Sequence, residues 1–293
     1  MNDYLLTVNG DYKYRISEIE FYYNDLVEGK KVAAVLHPDT FTHGDEMQKL
    51  SGQWYFHKMN GKSYKVGTYK GLDLAFGKGQ HAVGGILIRA ITSVGAVNGK
   101  HLPPNEFIEG PCNTVSRILE HNTPTGQEKI KEVKDFVVLD NFTTDAFTAG
   151  SRLYLSKITP KDLNTLNLSW KAGGGASPLF RGPRVGLTLN RYDQYKPAYW
   201  LRDYRFVAYP EKHKKMAAFV QLGMMGSNHR LTVAEVVKLS GAKRSTVEEL
   251  QAEMEKGRKE DKAIEHYKMT SKDMKNKDFA YAYGIHQRLH TAK

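Results

Sequence analysis

The chain has a single cysteine, Cys112, in 293 residues. One thiol cannot close an intramolecular disulfide and does not suggest a structural zinc site, so the sequence fits a reducing compartment. No stretch approaches the ~18 apolar residues of a membrane span. The opening MNDYLLTVNGDYKYR lacks the basic segment and long apolar run of a signal peptide. The expectation is an intracellular monomer, nuclear or cytoplasmic (or nucleoid-associated in a bacterium), with no membrane partner. Acidic residues are also short: 32 Asp and Glu stand against 43 Lys and Arg, a formal charge of +11. That excess argues for an anionic partner such as nucleic acid. The bland alternative is a solvated basic surface.

What is present begins with a hairpin. YLLTV and YKYRISEIEFYY flank Asn9-Gly10, the dipeptide that best favours a two-residue hairpin turn. Residues 37–65 are rich in His, Asp and Gly and read as a long functional loop with a short strand at Trp54 to His57. GLDLAFG and GGILIRAI read as two further strands. GPCNTVSRILEH reads as a helix entered through Gly-Pro, with Val115, Ile118 and Leu119 on one face. KDFVVLDN and SRLYLSKI read as later strands, and KAGGGASPLFRGPRVGLTLN as a glycine-rich turn into another. The sum is an α+β chain. Residues 1–210 form a strand-rich mixed domain with a curved antiparallel sheet, and residues 211–293 form a basic helical extension. Within that extension, LTVAEVVKLSGAKRSTVEELQAEM has Thr232 to cap one helix, Gly241 to end it and Ser245 to cap the next. The arrangement resembles a helix-turn-helix. Glu248, Glu249 and Glu253 make the second helix acidic, which also suits a plain helical hairpin.

Charges inside apolar strands are the signal for chemistry, because a buried charge is costly unless it is paired or used. Period two places Glu18, Glu20 and Tyr22 on one face of their strand and Ile19, Phe21 and Tyr23 on the other. Arg89 sits in a strand that is apolar on both faces. A guanidinium there cannot shed its charge and needs an anion. Asp73 and Glu20 are the candidate partners. Either a structural ion pair or an arginine awaiting a phosphate or steering a carboxylate would satisfy it.

EIEFY, a histidine about twenty residues on, a G-x-x-Y strand, G-x-D-x-A-x-G, ILIRA, EGPCNTVSRIL and RGPRVGL follow one another in the chain. This series resembles the alkyladenine (3-methyladenine) DNA glycosylase family over roughly residues 14–210. The family's order is EVEAY, an HxxxG loop, GTxYVY, YGxHxCxN, VLIRAxEP, GPGKLTxAL and a Pro/Arg-Ile/Val-Gly strand. The resemblance implies that Glu20 is the catalytic carboxylate and that Tyr22 stacks on an extruded base. It puts His43 on the other side of the pocket, His57 where a second stacking aromatic is expected, and Arg89 on the arginine of the LIRA strand. It departs at YGxHxCxN, which becomes GLDLAFG, with Asp73, Ala75 and Gly77 in place of His, Cys and Asn. Gly77 would then leave a roomier pocket floor, tolerant of a bulkier base.

The implied chemistry is hydrolysis of an N-glycosidic bond through an oxocarbenium-like transition state, with Glu20 activating water. The target base must leave the stack, which requires a slot (Tyr22, His43, His57) and a wedge, for which Tyr69 and Met59 are candidates. Lys70, Arg181 and Arg184 would hold double-stranded DNA. No motif lysine is placed as a Schiff-base nucleophile, so no strand cleavage, cofactor or metal is expected. Two other classes compete. One is a protein on the same fold that binds a modified base without cleaving it. The other is a hydrolase using a metal held by His37, Asp39, His43, Asp45 and His57. The KAGGG and RGPRVGL turns could form anion nests.

Overall fold

A computed structural model describes residues 1–25, 37–96, 102–103, 105–160, 162, 178–189, 195–226, 228–261 and 274–290. The chain divides into two compact units, one of Met1–His37 and Thr42–Ser177, the other of Pro38–Phe41 and Pro178–Lys293. Residues 178–210 belong to the second of these units, together with the helices that follow. The KAGGG turn lies outside the described residues.

The first unit is a curved antiparallel sheet. β1 (Tyr4–Val8) and β2 (Tyr12–Asp25) form the expected hairpin, with Asn9 and Gly10 both at positive φ (51° and 71°) as its two-residue turn demands. β2 pairs along its length with β7 (Ala82–Ala96). The far edge of β7 carries β6 (Leu72–Ala75) and β8 (Phe107–Glu109). β6 carries β3 (Trp54–Phe56), and β9 (Leu153–Lys157) pairs with β1. α1 (Pro111–His121) starts with proline in its first turn and buries Val115, Ile118 and Leu119 completely, as its periodicity predicts.

Two readings change. KDFVVLDN is no strand: α2 (Val133–Phe136) and a turn replace it. Its apolar run serves to drop Phe136 into the core beside Phe56 and Phe142 at ring distances of 5.8 and 4.8 Å. The loop 58–64 contains a second small hairpin, β4 (Lys58–Met59) and β5 (Ser63–Tyr64), turning at Asn60-Gly61. The signal for it was the same Asn-Gly pair that marks the first hairpin.

The second unit contains the pair β10 (Phe180–Gly182) and β11 (Arg205–Val207) and the helices α3 (Lys196–Trp200), α4 (Ala217–Met225), α5 (Val233–Ser240), α6 (Arg244–Arg258) and α7 (Asn276–His290). RGPRVGL contributes only its first residues to a strand. α6 takes Lys243 as its N-cap, and Ser245 lies inside the helix. α4 is apolar on every side and correspondingly buried. Trp200, Leu222, Val236, Val247, Leu250, Met254 and Tyr283 share one core. α6 and α7 cross at a glycine pair. A Cβ on Gly257 would lie 2.0 Å from the Tyr281 carbonyl oxygen, and one on Gly284 would lie 2.0 Å from that of Met254. Among the described residues no helix is long and apolar enough to cross a membrane.

Candidate active site

The strand register gathers the charges. Glu20 lies opposite Leu87, Leu87 opposite Asp73, and Asp73 opposite Tyr55. Directly paired residues share a sheet face, so these four side chains form one row across β2, β7, β6 and β3. Glu20 and Asp73 are two strands apart, roughly 10 Å between backbones.

Arg89 reaches this face through bulges. Ile16 pairs with Ile91, Glu18 with Ala90, and Ile19 with Ile88, leaving Ser17 on β2 and Arg89 on β7 as the extra residues. A bulge breaks the simple alternation and re-aims a side chain. Arg89 Nε donates to Glu18 Oε1 at 2.9 Å and Nη1 donates to Glu20 Oε2 at 3.3 Å. Tyr22 Oη also donates to Glu20 Oε2, at 2.7 Å. Burial alone would lower the Arg89 pKa, but the charges of Glu20 and then Glu18 outweigh it and hold the pKa above its ordinary value. Glu18 and Glu20 are both fully buried, so β2 has no wet face here. Arg89 therefore takes both glutamates as partners, and Asp73 is not among them.

Asp73 instead joins His57. His57 Nε2 and Asp73 Oδ1 are 2.8 Å apart, and Gln48 Nε2 donates to Asp73 Oδ2 at 3.0 Å. Gln48 belongs to the 3₁₀ turn Glu46–Lys49, which Asp45 caps through a reciprocal capping box. Gly85 makes room for this: a Cβ there would lie 2.4 Å from Asp73 Oδ2 and 2.7 Å from Gln48 Nε2. His57 does not stand alone as a stacking aromatic. Its ring meets His43 edge to face, with centroids 4.4 Å apart, and Tyr55 at 5.7 Å. Tyr55 Oη and His43 Nδ1 are 3.3 Å apart, and Lys65 Nζ donates to His43 Nε2 at 3.4 Å. Although His43 is an exposed residue, loss of water around its crowded ring and the charges of His57 and Lys65 push its pKa down to about 4. It is therefore neutral at pH 7, and its Nε2 accepts from Lys65. Desolvation also lowers the Lys65 pKa.

Beside these rings opens a cavity of about 530 Å³ walled by His43, Tyr55, Asp45, Lys58, Lys65 and Met59. That volume suits a small molecule or a single base. Lys58 and Lys65 supply positive charge, partly offset by Asp45, 3.6 Å from Lys58 Nζ. Met59 stands on the small hairpin and is 60% exposed, and Tyr69 is 77% exposed. Both are as available as a wedge residue must be.

Other expected residues have different work. Lys70 is buried and donates to the Lys131 carbonyl, so it does not face a polyanion. Arg184 is completely buried in the second unit. It makes a two-pronged pair with Asp39 at 2.6 and 3.2 Å and donates to the Tyr199 carbonyl at 2.8 Å. It is a structural arginine rather than a DNA contact. Arg181 is exposed and stacks over Phe206 at 5.4 Å. Gly77 does not floor a pocket: a Cβ there would sit 2.0 Å from the Gln48 carbonyl oxygen and 2.7 Å from that of Ala82. The glycine is needed for backbone packing, and the expectation of a roomier base pocket falls with it. Among the described residues no three His, Cys, Asp or Glu side chains converge as a metal site would need. Asp39 is committed to Arg184 and His57 to Asp73, while His37 Nδ1 lies 2.8 Å from the Tyr23 carbonyl oxygen. Gln48 and Lys65 were missed by sequence reasoning. The capping pattern Asp45 to Gln48 was the available signal for the first.

An α+β chain with a carboxylate row beside a ring-walled cavity is thus the class that the fold and geometry define. In sequence it is 31% identical over 226 residues to "Uncharacterized protein L759" of Acanthamoeba polyphaga mimivirus, spanning 73% of this chain and 84% of that protein. The chain belongs to the family of that viral protein. No described family model matches it, and no solved structure matches it.

Proposed function

We propose that the chain binds DNA, takes one modified base out of the stack into the cavity beside His43 and Tyr55, and hydrolyses its N-glycosidic bond. The observation that carries this reading is the row Glu20, Leu87, Asp73, Tyr55, which joins an anionic centre to a ring-walled cavity on one sheet face. The Tyr55 and His43 rings, nearly perpendicular with centroids 6.0 Å apart, would offer a base one face to stack on and one ring to meet its edge, and Met59 on its hairpin is placed to fill the gap in the duplex. Lys58 and Lys65 favour the flanking phosphates. A fixed carboxylate at Glu20 favours the cationic sugar of the transition state and orients water. In this scheme Asp73 holds the His57 ring, and neutral His43 meets the base edge.

A second reading, recognition of the modified base without cleavage, is favoured by one specific observation. Glu20 is fully buried and is held by both Tyr22 and Arg89. The two readings separate in one experiment. Alkylated, deaminated and hypermodified duplexes are incubated with the protein, free base is measured by mass spectrometry and binding by fluorescence anisotropy. The hydrolase releases base, and Glu20→Gln lowers release by at least about a hundredfold with binding nearly intact. Preferential binding of a modified duplex without release selects the second reading. Neither release nor preference removes both.

A further inference from the structure

We propose that the second unit holds a binding site for a small zwitterion, a free α-amino acid, in a cavity formed by β10, the turn joining α3 to β11, and α7. The site is separate from the row on the first sheet and does not depend on base excision.

The cavity has a volume of about 220 Å³ and is walled by Arg181, Arg202, Asp203, Tyr283, His286 and His290. Three of these recur at helical spacing, so Tyr283, His286 and His290 share one face of α7. The His290 ring lies against the His286 ring with centroids 4.6 Å apart. Arg181 comes from β10, and Arg202 and Asp203 come from the turn before β11.

Two acceptors in this wall are incompletely satisfied. Asp203 is the first. Tyr283 Oη donates to its Oδ1 at 2.6 Å, and Asn228 Nδ2 donates to its Oδ2 at 2.5 Å. Both donors are neutral, and among the described residues no Lys, Arg or His forms an ion pair with it. Loss of water raises the Asp203 pKa, against those two bonds and the charge of Arg181, so the carboxylate is short of positive charge. Its two oxygens have further lone pairs to offer a cationic donor. His286 is the second acceptor. It is 2% exposed, and its Nδ1 has no hydrogen-bond partner. The other ring nitrogen meets the Pro197 backbone, which offers only a carbonyl, so Nε2 carries the proton and Nδ1 presents a bare lone pair. Burial, and then His290 and Arg202, hold the His286 pKa well below its ordinary value, so a second proton does not fill that lone pair. A buried acceptor of this kind needs an N–H or O–H from elsewhere.

The cations are available too. Arg202 donates to the Ala198 carbonyl and to Tyr204 Oη, and the exposed Arg181 stacks over Phe206. Neither guanidinium has a carboxylate at ion-pair distance among the described residues, although a carboxylate is what its fork fits best. One molecule with an ammonium for Asp203 and His286 and a carboxylate for an arginine meets all of these needs. Arg181 is the arginine for that carboxylate. Its charge is felt at Asp203, and an α-amino acid carries its two charges on neighbouring atoms. A bare phosphate or carboxylate would leave both acceptors unfilled and set its own charge against Asp203. Drug-sized ligands and nucleotides are too large, since sites for them begin at about 300 Å³.

The test uses the full chain and each of the standard α-amino acids alone, followed by isothermal titration calorimetry and by the urea midpoint. At least one should bind and raise the midpoint as its concentration rises. Its des-amino acid and its methyl ester, each lacking one of the two charges, should bind at least about tenfold more weakly. Asp203→Asn should weaken binding by about the same factor. Arg181→Ala, at an exposed position that the core does not need, should do so as well. Binding by none of the amino acids overturns the proposal. Equal binding of the des-amino acid or of inorganic phosphate also overturns it, and makes the cavity a plain anion site. Undiminished binding by Arg181→Ala overturns it by placing the ligand elsewhere.

Discussion

The two units use charge in opposite ways. Residues 1–177 are almost neutral, yet the first unit seals Glu18, Glu20, Arg89 and Asp73 inside or beside central strands. Residues 178–293 carry most of the charge excess, 23 Lys and Arg against 13 Asp and Glu. Buried charge in a sheet is expensive and needs a reason, so it marks a place where chemistry or recognition is held rigid. Exposed charge on helices costs little and acts at long range on a partner. Composition alone would have sent the search for a site to the basic half, whereas the strand register sends it to the neutral one. The second unit also buries an ion pair, Asp39 with Arg184, and packs it under rings. Its guanidinium lies 5.4 Å from the Phe41 centroid and 5.5 Å from that of Tyr204.

Removing one cation from each unit puts the comparison at risk. Arg89→Leu leaves two buried carboxylates without their shared counter-charge, and about 5 kcal/mol of stability should be lost at pH 7. Because protonation neutralises the stranded carboxylates, the variant should regain stability in acid, and adding Glu18→Gln should recover part of the loss. Urea unfolding of the three proteins decides this. A loss under about 1 kcal/mol would mean that the cluster is not sealed in the way its burial implies. Arg184→Leu strands only one carboxylate, Asp39, so the expected loss is smaller, about 3 kcal/mol. Hydrogen exchange should locate that loss in the helices of the second unit. If the protection lost lies in β2 and β7 instead, the assignment of Arg184 and Asp39 to the second unit is wrong.

Gly85→Ala is a finer probe, because it adds one carbon and no charge. That carbon would overlap Asp73 Oδ2, which Gln48 and His57 hold from both sides. The carboxylate must give up a partner, at a cost of about 1–2 kcal/mol. The imidazole resonances of His57 should shift with it. Unchanged resonances would show that the network tolerates displacement and does not fix the ring.

Much of this was legible in the sequence where local rules act alone. The Asn9-Gly10 hairpin, the Thr232 cap, the Gly241 stop and the buried stripe of α1 follow from turn chemistry and periodicity, and each is present. The alternation in β2 correctly put Glu18, Glu20 and Tyr22 together, and the strand with Arg89 is central as its two apolar faces implied. What failed depended on partners distant in sequence. Of the two candidate partners for Arg89, Asp73 and Glu20, only Glu20 is taken: the bulge at Arg89 turns the guanidinium toward β2 and leaves Asp73 to His57. Arg184 read as a surface cation because nothing local announces Asp39, 145 residues away. Gly77 read as open space because a missing side chain looks the same in sequence whether solvent or backbone takes its place.

The smallest expected effect tests whether the neutral unit also tolerates new charge poorly at its margin. His121, the last residue of α1, stacks on Tyr12 with centroids 3.8 Å apart, and its Nδ1 lies 2.9 Å from Tyr14 Oη. Burial first, and then the charge of Arg117, push its pKa from 6.5 down to about 4, against the opposing pull of Glu120 and Glu106. Between those two pH values the unfolded chain takes up the proton more readily than the folded one. This contribution to stability is therefore fully present above about pH 6.5 and is lost progressively as the pH falls toward 4. The residue is half-buried, so solvent screening reduces the effect to about 1 kcal/mol. His121→Gln keeps a polar side chain but removes the titration. The urea midpoint of wild type should fall more than that of the variant between pH 7.5 and pH 4.5. Parallel midpoints at the two pH values would mean that the imidazole is as well hydrated in the fold as outside it, and that the burial of charge in this unit is confined to the sheet.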